Sequence, residues 1–172
     1  MSHAAHQSVR RGGFRHDERG ATAVEFALVA PLLCFALLSI VEIGMMGMIS
    51  SGLDNATIEV ARRIRTGRSD GPTSASTFED QVCARLGGDV SACHTRLVIS
   101  VQKYTKFFDA GGSVTAQPDG SFNKGGAGDI IIVKANYTWP LMSPFVATAF
   151  HRNGPMSVTL GSRIAFKNEP FT

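Results

Sequence analysis

The chain has 172 residues, 44% of them hydrophobic and 18% charged, with 17 basic side chains against 14 acidic ones. That length holds one modest domain plus appendages. Arg10, Arg11, Arg15 and Arg19 face only Asp17 and Glu18 in the first twenty residues, so the rest is close to neutral; the pI near 9.0 reflects no basic stripe with interleaved aromatics, and nucleic acid is excluded as an expected partner.

After this basic stretch comes RGATAVEFALVAPLL, in which Glu25 heads an apolar run. Phe26 to Val41 carries no charge, Glu42 interrupts, and Ile43 to Ile49 continues apolar. As helix, the uncharged part spans about 24 Å and the whole run about 36 Å, against a hydrocarbon core of about 30 Å. The run therefore spans only if Glu42 lies near one edge or faces a protein partner, since a central carboxylate costs roughly 2.5–3.5 kcal/mol. A cleaved secretory signal has a shorter apolar core, and a buried core helix would carry more polar positions. A transmembrane helix is the expected reading, and the arginines ahead of it favour an N-terminus inside. Cys34 lies in the run as a small apolar side chain.

The helical pattern continues outward. Leu53, Thr57, Val60, Ala61 and Ile64 share one face, Glu59 can pair with Arg62 or Arg63, and Gly67 is placed to cap the C-terminus. One helix is expected from about Thr22 to Thr66, kinked or loosened at Pro31.

RSDGPTSAST then reads as a loop, with Ser76 or Thr77 capping a short helix through Phe78, Val82 and Leu86. Cys83 and Cys93 follow. In an oxidising compartment they would form a disulfide; His94 is the only nearby extra metal ligand, which argues against a metal site. Three strands are expected: Arg96 to Phe107, with Leu97, Ile99 and Val101 on one side; Asp129 to Trp139, rich in β-branched residues; and Pro155 to Phe166. The Gly-rich stretch between the first two is loop, with a short hairpin at Pro118-Asp119-Gly120. WPLMSPFVATAF, broken by Pro140 and Pro144, could cover the sheet or rest on a membrane surface; cover is the favoured reading. The outer half of the long helix and an antiparallel sheet make an α+β domain.

No His, Asp and Ser or Cys set shows catalytic spacing, GGAGD lacks the strand-loop-helix order of a phosphate loop, and Asp119 with Asp129 do not make a calcium site. Neither an enzyme nor a cofactor is expected.

Glu25 has one further reading besides snorkelling to water. If the chain is cut between Gly20 and Ala21, the new amine is a cation at the membrane face. The Glu25 carboxylate of a neighbouring subunit could neutralise it, which makes a carboxylate in lipid tolerable and gives register to an apolar helix that lipid does not drive to associate.

Gly20 before the cut, Glu25 at the fifth mature position and Phe26 at the sixth resemble the prepilin-type leader of type IV pilins. The whole stretch is similar to the Flp, or tight-adherence, group. The domain after the helix, with Glu42, ARRIRTG, the Cys83/Cys93 pair, RLVISVQKYTKF, GDIIIVKANYTWPLMSPF and FKNEPF, looks like the TadE-like minor pseudopilins. The resemblance implies a pseudopilin-like α+β fold, a cytoplasmic leader over 1–20, a transmembrane helix over 21–50, its periplasmic extension over 51–67 and a periplasmic domain over 68–172. It implies a bacterial inner-membrane position and cleavage by a prepilin peptidase. Its partners would be other pilins or pseudopilins, the inner-membrane pilus assembly machinery and membrane lipid. The alternative is a single-pass anchored periplasmic binding or scaffold protein that is never processed.

Overall fold

The structure is a computed structural model and describes residues 20–87, 89–106, 118–149 and 156–170. These fall into two compact units that divide within the first helix, one ending at Leu38 and the other starting at Ser39.

Helix α1 runs from Ala21 to Arg65 with Pro31 inside it. At 1.5 Å per residue it is about 68 Å long. In the first unit its apolar side chains are exposed, Phe26, Leu28, Val29 and Leu32 among them. In the second unit one face turns inward: Glu42, Met46, Leu53, Ala56, Thr57, Val60, Ala61 and Ile64 are buried. Steps of three and four along this series make a continuous seam. Val60 and Ile64 end it, and the chain leaves the helix through Gly67 at φ 62°. There the Arg68 amide donates to the Arg63 carbonyl and the Gly67 amide to the Ile64 carbonyl, both at 3.1 Å. This is the paired pattern that a left-handed residue after a helix end allows. Glu59 pairs with neither Arg62 nor Arg63, contrary to expectation; Arg63 engages Asp70 at 3.4 Å instead, because the turn after Gly67 brings Asp70 back beside it.

Helix α2, Ala75–Leu86, is capped by Ser74 rather than by Ser76 or Thr77. Ser74 and Thr77 exchange side-chain and backbone bonds in a capping box, so Thr77 completes the cap from inside the helix. Phe78, Val82 and Cys83 form its buried face. A short helix α3, Val90–His94, follows.

Three strands make an antiparallel sheet in the order β1 (Leu97–Tyr104), β2 (Ile130–Pro140), β3 (Ser157–Lys167). In the register Val101 faces Val133 and Val133 faces Ile164. Odd-numbered residues of β1 and β2, from Leu97 to Val101 and Ile131 to Trp139, join the α1 seam, Phe78 and Val82 in one core. Each large apolar side chain buried there contributes about 1.5–3 kcal/mol. On the opposite face Ile132, Lys134 and Asn136 are buried too. Gly161 faces Asn136 across the pair, and a Cβ on it would come within 3.2 Å of the Asn136 amide oxygen.

The outer edge of β1 is covered. Ser121 to Asn123 bonds to both backbone groups of Val101, at 2.8 and 2.7 Å, and the Glu79 carboxylate accepts from the Ile99 amide at 3.2 Å. Such cover prevents edge-to-edge pairing. This contact includes a short parallel bridge between Val101 and Phe122; the first arm of the hairpin expected at Pro118-Asp119-Gly120 falls in residues 107–117, outside the described residues. After β2, Leu141 bonds to Met156, and helix α4, Pro144–Ala149, buries Val146.

Candidate functional site

Two places on α1 carry the carboxylates that set the problem. The first is its start. The helix begins at Ala21, directly after Gly20. A Cβ added to Gly20 would meet nothing within 4 Å, and its φ is not in the left-handed range, so the described fold places no demand for glycine there. Glu25 and Phe26 are exposed, and among the described residues Glu25 makes no ion pair. Cys34 is exposed as well.

The second is Glu42, which is 3% exposed. It sits at the head of the buried seam, one turn before Met46. The Met142 amide donates to its Oε1, and the Ser143 amide to its Oε2 at 3.0 Å. One turn earlier, Ser39 Oγ lies 2.9 Å from Ser143 Oγ. The segment that joins β2 to α4 is thus tied to α1 at two points one turn apart. Two backbone donors solvate a carboxylate that would otherwise be costly out of water. The sequence reading of Glu42 left two options, a membrane edge or a protein partner. The structure gives it a partner, the chain's own backbone a hundred residues on. A sequence signal for this existed: counting back from Val60 through Thr57, Leu53, Ile49 and Met46 reaches Glu42 on the inward face. Met142, Ser143 and Ser39 were not singled out, and backbone donors leave no trace in a sequence.

Cys83 and Cys93 are joined as a disulfide, with their Cα atoms 5.8 Å apart. Both are buried, and the bond ties α2 to α3 just before β1. His94 Nε2 lies 2.8 Å from Asp80 beside it. Among the described residues no group of three or more His, Cys, Asp or Glu could hold a metal ion.

At the far end of α1, the Glu169 amide donates to the Arg65 carbonyl at 2.9 Å and its carboxylate pairs with Arg65 at 3.3 Å. Asn168 Nδ2 donates to the Lys124 and Gly126 carbonyls, each at 2.9 Å. Asn168 and Glu169 therefore fasten the end of β3 to the helix end and to the loop ahead of β2.

Helix α1 is long and apolar enough to cross a membrane, with mean hydropathy 2.4 over its most apolar stretch and 6% of that stretch buried. A long apolar N-terminal helix whose outer part packs on a three-stranded antiparallel sheet defines an α+β protein with a built-in membrane-anchor candidate. Residues 20–62 match the family of TadE-like proteins, the same family that the sequence resembles. Comparison with curated proteins and with solved structures finds no match.

Proposed function

We propose that this chain is a minor pseudopilin of the tight-adherence pilus, made with a cytoplasmic leader that a prepilin peptidase removes between Gly20 and Ala21. In this reading α1 anchors the mature protein in the inner membrane. The domain beyond residue 50 stands in the periplasm, and Glu25 meets the Ala21 amine of a neighbouring pilin or pseudopilin during assembly or export. The function is structural, and no catalytic step belongs to it.

One observation carries the proposal: Gly20 stands immediately before the helix at a position where the described fold tolerates a larger side chain. A glycine that the fold does not require is supported better by an outside reader, such as a peptidase that needs a small residue before the cut. The match over residues 20–62 begins at this same residue. The disulfide supports an oxidising compartment for the domain.

The test is the mature N-terminus. Protein purified from membranes of a host that makes the pilus is expected to begin at Ala21 by N-terminal sequencing and intact mass. Gly20→Phe is expected to retain the leader. A native protein that still carries its arginines would leave an anchored, unprocessed scaffold as the reading.

A further inference from the structure

We propose that the segment after β2, led by Met142 and Phe145, lies in the outer lipid interface and seats the domain against the bilayer. This rests on the reading of α1 as a membrane anchor.

The argument starts from depth. Ser143 is held to Ser39 and Glu42 by its side chain and its amide, at 2.9 and 3.0 Å. Residues 142 and 143 therefore stand level with the helix turn from Ser39 to Glu42. Around that turn Ile40, Val41 and Ile43 are 67, 58 and 55% exposed. A hydrocarbon core takes about 20 helical residues. Counted from the start of the apolar run, it ends near this turn or just past it. A segment tied beside the helix at this level faces the medium that the helix faces.

The composition of the segment fits that medium. Leu141 to Ala149 contains no charged residue. Leu141 and Val146 point into the core, while Met142 and Phe145 are 70 and 57% exposed. A short element with one apolar side buried and large apolar side chains on the other is built for an interface. In water these two side chains would forgo the burial that apolar surface favours. The patch is uncharged and tied to the turn of α1 that also exposes Ile40, Val41 and Ile43, which selects lipid over a charged protein surface. The expectation that this segment covers the sheet accounts for Leu141 and Val146 only.

The test uses the full chain with Cys34→Ser, reconstituted in vesicles of phosphatidylcholine and phosphatidylglycerol. A nitroxide is placed singly at Leu28→Cys, Met142→Cys or Thr159→Cys, with the disulfide left oxidised. Spin relaxation by oxygen and by a water-soluble nickel chelate reports depth. Leu28 and Met142 labels are expected to favour oxygen over nickel, with Met142 the shallower, while the exposed Thr159 label favours nickel. A Met142 label that matches Thr159 while Leu28 is in lipid overturns this inference and leaves the anchor standing. A Leu28 label in water overturns the anchor reading. A Met142 label shielded from both reagents, and released on dilution with lipid, assigns the patch to a second copy and overturns lipid contact.

Discussion

At Glu42 a single side chain holds together parts of the sequence a hundred residues apart. Its two oxygens satisfy the Ser143 amide in a buried setting and the Met142 amide in a part-buried one. Glu42→Ala orphans both, at roughly 1–3 kcal/mol for the buried Ser143 donor and less for the part-buried Met142 one. Thermal unfolding in detergent is expected to rank wild type above Glu42→Gln, which keeps one carbonyl acceptor, and Gln above Ala. A Glu42→Ala loss no larger than that of the surface variant Glu59→Ala would remove the clamp from the account. Asp119 makes a second residue-scale prediction. The Ser121 side chain and backbone, with Ser100 behind them, hold its carboxyl down at about 2; the Ser121 amide donates to it at 3.0 Å. A lowered folded-state pKa stabilises above the ordinary carboxylate value of 3.8 and loses that contribution as pH falls toward 2. Carboxyl-carbon NMR is expected to place its midpoint near 2, and Ser121→Ala should raise it.

At the scale of elements, the disulfide is the simplest case to measure. Cys83 and Cys93 close a short loop and are buried on α2 and α3. Loop entropy alone gives about 3 kcal/mol for a bridge of this size. Replacing both by serine is expected to lower stability by that order in chemical denaturation, and a reductant should do the same to the native chain. An unchanged midpoint would mean that the helices hold the loop without the bond. The elements themselves were legible because their periods are strong. The three-and-four spacing from Leu53 to Ile64 marks the buried face of α1, and the β-branched run at Ile130 to Val133 marks the central strand. What the sequence misled on was local exchange. Ser74 takes the cap because Thr77, three residues on, returns its bond, and Ser76 offers the same chemistry without that geometry. Arg63 passes over Glu59 for Asp70, since a backbone turn decides the pairing and helix spacing does not.

For the whole molecule, Glu25 and Glu42 on α1 make a contrast that the structure makes plain. One heads the apolar run and the other interrupts it, and by composition alone they are alike. Glu42 has its partners within the chain, so its cost out of water is already met. Glu25 is exposed, with no ion pair among the described residues, so its role as proposed depends on a neighbour. That difference gives two variants opposite signatures. Glu42→Gln should weaken the folded domain in isolation. Glu25→Gln should leave thermal unfolding unchanged, since nothing in the described fold uses the carboxylate. It should also insert at least as well as wild type, because a neutral side chain costs less in hydrocarbon than a charged one. What it should lose is assembly, through the missing partner for the Ala21 amine. The measurement is a pair: membrane fractionation to establish insertion, and surface pili counted by electron microscopy in the strain carrying the variant. Full membrane association with pili abolished supports the intersubunit pair. Normal pili with Glu25→Gln would show that the carboxylate only snorkels to water, and subunit register would then have to come from the apolar faces of the helices.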